Sequence, residues 1–459
     1  MPSTQAGHPV LSNIDTIAAI ATPPGQGGVG IVRVSGAAVP EITQQLLGRL
    51  PKPRSAECHD FRAGDGTLID AGLTLYFPAP ASFTGEHVLE LHGHGGPVVM
   101  DLLLARVLAL GARPARPGEF SERAFLNGKL DLAQAEAIAD LIDCGTAQAA
   151  RAAARSLDGV FSERIHALLE QLITLRSWIE AAMDFPDDEI ELLSDERTGG
   201  QLTALAEAIE RVMAGAHQGQ LLHDGITLVI AGRPNAGKSS LLNALAGFDA
   251  AIVTDIPGTT RDLLRERIQI DGMPLHIIDT AGLHDSTDPV EQAGMQRARR
   301  AMQNADRVLL LIDDQVGYTP ADDAILAALP DGIPHTLIRS KIDLTGRAPG
   351  ISDEQTSMEV ALSAHTGAGM DALRRHLKRC VGFQEQPEGG FSARRRHLDA
   401  LQRARTHVVE GIRLLREQQA AELLAEELRE AQQDLGEITG AFTSEDLLDR
   451  IFSSFCIGK

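Results

Sequence analysis

Eight consecutive residues, Gly232-Arg233-Pro234-Asn235-Ala236-Gly237-Lys238-Ser239, constrain this chain more than any other feature. They fit the pattern G-x-x-x-x-G-K-S, with a buried-type strand at 226–231 before them and a helical pattern at 240–246 after. Glycines let the backbone curl until successive N–H groups face one point, and the helix N-terminus adds positive potential there. A loop of this kind cradles phosphates. Asn235, Ala236, Gly237, Lys238, Ser239 and Ser240 line it; Lys238 reaches the β/γ oxygens and Ser239 can ligate Mg²⁺. The same strand-loop-helix unit commits the surrounding chain to an α/β sheet with parallel strands.

The other parts of a guanine-nucleotide site follow in order. Asp279-Thr280-Ala281-Gly282 ends a strand at 275–278, placing Asp279 to hold Mg²⁺ through water and the Gly282 N–H to sense a γ-phosphate. Gly258-Thr259-Thr260-Arg261-Asp262 lies in the intervening loop, where a threonine hydroxyl can complete the metal shell. In Ser340-Lys341-Ile342-Asp343, Asp343 can accept two hydrogen bonds from guanine N1 and the exocyclic amine, a pattern adenine does not offer. Ser363-Ala364 is placed to back up the base. Two departures stand out. Ser340 occupies a position where GTPases usually carry Asn, and its shorter side chain is expected to brace base and phosphate loop less well. Leu283 follows Gly282 where Ras-like enzymes place the Gln that orients water. Hydrolysis then needs another polar group and added positive charge, and Asn235 is a candidate to help bind a monovalent cation.

A chain of 459 residues exceeds one hydrophobic core and predicts about three domains. Aromatic residues are only 3%, so the cores must be aliphatic. Residues 15 to about 120 read as α+β, with strands at 16–21, 30–34 and 73–77. From 122 to 218 apolar residues recur at helical spacing, interrupted by an acidic turn at 184–189 that reads as a solvated connection. Strands at 226–231, 275–279, 307–313 and 335–340 alternate with helices. Beyond the linker 384–390 helical periodicity returns, and Thr443 with Asp446 predicts a capped start to the last helix. The expected boundaries are 1–121 (α+β), 122–218 (helical), 219–382 (Ras-like α/β) and 383–459 (helical). The nucleotide module is thus an insertion into a discontinuous helical domain.

Lys plus Arg number 42 against 63 Asp plus Glu, a formal charge of −21 that argues against nucleic-acid binding by a whole face of the chain. The densest cationic cluster, Arg394-Arg395-Arg396-His397, reads as the solvated first turn of a helix. No run approaches the ~20 apolar residues of a membrane span. No signal peptide is legible, and the four cysteines are scattered, so a cytoplasmic location is predicted. His87, His92 and His94 read as part of a glycine-rich turn rather than a zinc site.

Beyond the nucleotide motifs, longer stretches carry a resemblance. From the phosphate loop through Ala250-Ala251-Ile252-Val253-Thr254-Asp255-Ile256-Pro257-Gly258-Thr259-Thr260-Arg261-Asp262 the chain closely resembles the MnmE (TrmE) family of tRNA modification GTPases. Asp15-Thr16-Ile17, Ala21-Thr22-Pro23-Pro24-Gly25, Leu89-Glu90-Leu91-His92-Gly93-His94-Gly95-Gly96, Pro117-Gly118-Glu119-Phe120-Ser121 and the terminal Phe455-Cys456-Ile457-Gly458-Lys459 extend the likeness over essentially the full length.

The resemblance implies a homodimer in which an N-terminal folate-binding-type domain precedes the helical domain and its inserted GTPase. It implies work with the flavin-containing protein MnmG (GidA) to build an aminomethyl-type group at C5 of the wobble uridine of certain tRNAs, using a folate one-carbon unit. By matching motifs, Arg33, Glu90, Lys129 and Lys459 would contact 5-formyltetrahydrofolate or a related tetrahydrofolate. Thr254, Asp255, Ile256, Pro257, Gly258, Thr259 and Thr260 would lie along the GTP. K⁺ would be held by Asn235, Thr254, Ile256 and Thr259, and Mg²⁺ by Ser239 and Thr260. Glu291 would orient water in place of the missing Gln, and Cys456 would act in modification as proton donor or nucleophile. Two rivals are a ribosome-assembly GTPase, which usually carries a basic appendage that this chain lacks, and a folate-dependent methyltransferase acting alone.

Overall fold

The computed structural model describes residues 15–183, 196–248, 265–279, 305–327, 332–354, 357–384, 390–417, 421–442 and 444–458. The chain divides into two compact units, residues 1–139 with 433–459, and residues 140–432.

The first unit begins with β1 (Ile17–Ile20), β2 (Gly27–Ser35), α1 (Val39–Leu47), β3 (Glu57–Arg62), β4 (Leu68–Phe77), β5 (Val88–Gly95), α2 (Pro97–Ala109), β6 (Arg113–Pro114), α3 (Glu119–Leu126) and α4 (Leu132–Asp143). The strands form one sheet in the order β3-β4-β5-β2-β1-β6, antiparallel except for β1 with β6. Side chains alternate along each strand, and this sorts the unit's residues. Val32, Val34, Leu89 and Leu91 are buried in a core shared with Ile42 of α1 and Leu103 and Val107 of α2. Arg33 and Glu90 therefore face the opposite side, and the register sets them directly across from each other.

The second unit holds α5 (Ala147–Leu157), α6 (Val160–Met183), α7 (Glu196–Asp224), β7 (Ile226–Gly232), α8 (Lys238–Phe248), β8 (Arg265–Ile270) and β9 (Met273–Asp279). It continues through β10 (Arg307–Asp313), α9 (Pro320–Ala327), β11 (His335–Ser340), β12 (Gly350–Glu354), β13 (Ser357–Ala361), α10 (Met370–Cys380) and α11 (Arg395–Arg416). The sheet runs β12-β13-β11-β10-β7-β9-β8. Its five inner strands are parallel, and four of them were expected; the sequence reading missed the inner strand β13 and both edges, where β8 and β12 are antiparallel additions. Leu228, Ile230, Leu309 and Leu311 feed one core and Val229, Ala231, Leu310 and Ile312 the other. A sheet covered on both faces demands continuous apolar runs, and 308–312 supplies one.

Helix α7 is crossed closely by the segment leading into α11. A Cβ on Gly219 would lie 2.2 Å from the Phe391 carbonyl oxygen and 2.9 Å from the Ala393 nitrogen. Replacing a helix-interior glycine by alanine ordinarily gains about 0.5–1 kcal/mol. Here the sign reverses. Gly219→Ala is expected to destabilise by about 2 kcal/mol through backbone overpacking, read by urea unfolding followed at Trp178, the single tryptophan, which lies in α6 of this unit. Unchanged or increased stability would show that the segment does not seat on α7.

The start of α11 corrects one expectation. Arg394, the residue before the helix, ion-pairs with Asp140 at 2.6 Å, and His397 is buried with its ring 5.1 Å from that of Phe161. Two of the four residues read as a solvated cationic turn are thus structural.

After α12 (Ala421–Thr439), α13 (Glu445–Phe452) belongs to the first unit. Its cap is Ser444, whose hydroxyl accepts from the Leu447 N–H, one residue beyond the position read from sequence; Thr443 lies outside the described residues. Ile451, Phe452 and Phe455 pack with Leu132 and Ala135 of α4 and so anchor the chain's end within that unit.

Candidate nucleotide site and the N-terminal unit

Parallel strands leave a crevice at their C-terminal ends, where successive helices depart to opposite faces of the sheet. The ends of β7, β10 and β11 lie side by side there, and the turn holding Ser363 follows β13. The phosphate loop leaves β7 at Gly232, whose φ is 150° and whose added Cβ would meet the Leu311 carbonyl oxygen at 2.6 Å, so the position admits no side chain. Asn235 is left-handed at φ 64°, which asparagine tolerates better than most residues.

Lys238 opens α8 and turns back over the loop, its Nζ donating to the carbonyls of Gly232 at 2.8 Å and Arg233 at 3.0 Å. Asn235, Ser239 and Ser240 are exposed at the loop and the first turn of α8, open to a ligand, whereas Ala236 is buried. The first carboxylate anchoring this loop escaped the sequence reading: Asp322, fully buried in α9, takes Arg233 Nε at 3.2 Å.

The base-recognition segment grips the same loop. Ser340 Oγ lies 2.6 Å from the Ala236 carbonyl and 3.0 Å from the Ile312 carbonyl. The hydroxyl thus reaches the phosphate loop despite being shorter than the asparagine it replaces. Lys341, held at φ 58°, donates from Nζ to the Asn235 carbonyl at 2.7 Å and to Asp313 Oδ2 at 2.8 Å. That bond to Lys341 holds the Asp313 carboxyl below its usual range. Asp343 projects exposed from the turn that follows, accessible to a base. Ser363 is buried; its N–H donates to the Ala368 carbonyl and its Oγ accepts from the Thr366 N–H, a tight turn that presents half-buried Ala364.

In the first unit the structure joins two parts of the chain that sequence leaves 425 residues apart. Arg33 Nε donates to Glu90 Oε1 at 3.0 Å, and Arg33 Nη1 reaches the Gly458 carbonyl at 3.4 Å. The guanidinium lies over the rings of Phe83 and Phe120, at 5.9 and 5.7 Å. His92 Nε2 sits 3.2 Å from the second Glu90 oxygen. The sequence reading put His92 in a glycine-rich turn; it lies instead within β5, where its spacing of two from Glu90 sets both on one face of the strand. Cys456 is exposed, its carbonyl accepting from the Gly118 N–H. Lys129 is exposed and donates to the Pro80 carbonyl at 3.2 Å.

Several expected site residues lie outside the described residues: Thr254, Asp255, Ile256, Pro257, Gly258, Thr259, Thr260, Thr280, Ala281, Gly282, Glu291 and Lys459. Asp279 is described only in its backbone, which ends β9. Among the described residues, no group of His, Cys, Asp and Glu is placed to hold a metal, and no helix is long and apolar enough to cross a membrane.

A glycine-built loop between β7 and α8, a lysine over that loop and an exposed aspartate beside it on a parallel sheet define a Ras-like P-loop GTPase. Family comparison carries this further. Residues 132–456 match the family described as MnmE helical domain, and 16–129 match the GTP-binding protein TrmE N-terminus. The tRNA modification GTPase MnmE of Methylococcus capsulatus is 61% identical over 97% of this chain and 99% of its own length. Its counterparts in Pectobacterium carotovorum and Yersinia pseudotuberculosis are each 60% identical over 98% of this chain and their full length. The chain belongs to the MnmE family of tRNA modification GTPases.

Proposed function

We propose that this protein couples GTP hydrolysis to modification of the wobble uridine of certain tRNAs, acting as a homodimer with a flavoprotein partner and drawing on a folate one-carbon unit. The tRNA substrate rests on the relatives, which match nearly end to end. One structural observation carries the folate reading: the chain's last turn meets the Arg33–Glu90 pair beside two aromatic rings. A guanidinium, a carboxylate and stacking surfaces suit a flat, hydrogen-bonding, anionic ligand such as 5-formyltetrahydrofolate, to which the proposal adds Lys459. Bound there, the folate would supply the one-carbon unit, and the proposal keeps Cys456 as proton donor or nucleophile. Lys129 stands ready as a further cationic contact.

On the nucleotide side the proposal assigns Mg²⁺ to Ser239 with Thr260, with Asp279 acting through water. K⁺ goes to Asn235 with Thr254, Ile256 and Thr259, and water orientation to Glu291. Asn235 suits that role. Its backbone carbonyl is held by Lys341, and its side chain is left exposed on a left-handed turn. A monovalent cation held there would supply positive charge against the negative charge that develops as the γ-phosphate departs, a role the apolar Leu283 cannot fill. The domain boundaries 1–121, 122–218, 219–382 and 383–459, and a cytoplasmic location, complete the proposal.

Nucleoside analysis of tRNA from cells lacking this protein tests the function. The modified wobble uridine is expected to disappear, and an unchanged uridine would remove the tRNA reading while leaving the GTPase intact. For the cation, exchanging K⁺ for Na⁺ should slow hydrolysis by about 10-fold or more, the scale of transition-state charge stabilisation, and Asn235→Ala should abolish the difference. Equal rates in both salts would refute that assignment.

A further inference from the structure

The segment that selects the base also holds two successive carbonyls of the phosphate loop. Lys341 takes that of Asn235, and Ser340, almost fully buried at the end of β11, takes that of Ala236. Peptide groups are planar and trans, so fixing a carbonyl fixes the N–H of the next residue in the opposite direction. The Ala236 carbonyl turned toward β11 aims the Gly237 N–H away from β11. Ser340 has one proton and two carbonyls in range, Ala236 at 2.6 Å and Ile312 at 3.0 Å. A hydroxyl donates to only one of them at a time.

We propose that Ser340 is a positioning residue of the GTPase that does not touch the base: its single proton, shared between a loop carbonyl and a strand carbonyl, sets how firmly the phosphate loop is held. When the hydroxyl donates to Ala236, the loop is tied to β11 with Gly237 N–H aimed at the phosphates. When it donates to Ile312, that tie is released. An asparagine amide carries two protons and can satisfy both carbonyls at once, so serine at this position builds in a looser phosphate grip. Base choice stays with Asp343, which projects from the following turn.

Ser340→Ala removes the proton altogether, and Ser340→Asn supplies two. Dissociation of a fluorescent GDP and steady-state hydrolysis of GTP and ITP are measured on the full-length protein with Mg²⁺ and K⁺. ITP lacks the exocyclic amine that Asp343 recognises. One hydrogen bond of ordinary net strength predicts GDP release about three- to tenfold faster for Ser340→Ala and slower than wild type for Ser340→Asn. The ratio of GTP to ITP turnover should stay unchanged in both variants. Release from Ser340→Ala at the wild-type rate would overturn the proposal. So would a shifted GTP to ITP ratio, which couples Ser340 to recognition of the exocyclic amine, or an asparagine variant that releases GDP as fast as the alanine one. A fold defect cannot mimic the expected pattern, because the two variants move the release rate in opposite directions.

Discussion

Lys238→Ala is expected to lower kcat/KM for GTP by about a thousandfold, the upper range for deleting one preorganised electrostatic contact to a transition state. The ammonium donates two of its three protons to the Gly232 and Arg233 carbonyls of the loop. The loop's own carbonyls therefore fix the charge over the curl. Charge develops on the β–γ bridging region as the phosphoryl group leaves, and a positioned ammonium needs no reorganisation to meet it. GDP affinity should fall far less, since the loop amides and Asp343 remain. Lys238→Arg should not restore turnover, because a planar guanidinium cannot replace a compact ammonium folded back on two carbonyls. Single-turnover hydrolysis, with thermal unfolding as a fold control, checks this. A folded alanine variant that retained a tenth of wild-type turnover would mean that this lysine is not the group that meets the charge.

How much of this was legible in the sequence depends on how far apart the interacting residues lie. The strands at 307–313 and 335–340 emerge with the ends read from sequence; the first is the continuous apolar run a buried parallel strand needs, and the second centres on Leu337-Ile338. The phosphate loop was legible for the same kind of reason: its geometry needs glycines at fixed offsets. The edge strands were harder. The hairpin joining β8 and β9 turns through Asp271 and Gly272, both left-handed at φ 49° and 83°. That Asp-Gly pair is the favoured two-residue hairpin signal and was available in the sequence. Long-range pairs leave no such trace. Arg33 and Glu90 are 57 residues apart, Arg233 and Asp322 are paired across the loop and a helix, and Arg394 finds Asp140 254 residues away. Read along the chain, Arg394 is one of a cationic run; read in space, it is the half-buried partner of the buried Asp140 carboxylate. The resemblance supplied Arg33 and Glu90, yet it did not disclose that His92 shares the same carboxylate.

The cluster around Asp140 yields the other large effect. His223 Nε2 lies 3.0 Å from Asp140 Oδ1 and its Nδ1 lies 2.6 Å from Asp224 Oδ1, while Arg394 Nη2 holds Asp140 at 2.6 Å. These residues sit at the end of α4, at the last turn of α7 just before β7, and at the start of α11. The chain enters the nucleotide sheet beside His223 and leaves it before Arg394, so one carboxylate staples both. Burial pulls His223 down, but the hydrogen bonds to Asp140 and Asp224 outweigh it and hold the imidazole at about 9. Burial pushes Asp140 up, and His223 and Arg394 outweigh that, leaving it below its ordinary value. For the raised histidine, stability is fully present below the unfolded value of 6.5 and is lost as pH rises through about 9. For the lowered aspartate, it is present above 3.8 and lost as pH falls through the depressed folded value. The staple should therefore hold at full strength from about pH 4 to 6.5 and weaken steadily toward pH 9. Asp140→Ala removes the buried anion shared by His223 and Arg394, both of which keep contact with water, and is expected to cost about 2–3 kcal/mol at pH 6, below the full penalty of a buried pair. Urea unfolding followed at Trp178 reads this in the unit that contains the cluster. In His223→Gln the decline between pH 6.5 and 9 should flatten, because a neutral amide keeps a hydrogen bond but has no proton to lose. If wild type and His223→Gln lost stability in parallel across that range, the imidazolium would not be what joins the two ends of the nucleotide sheet's chain.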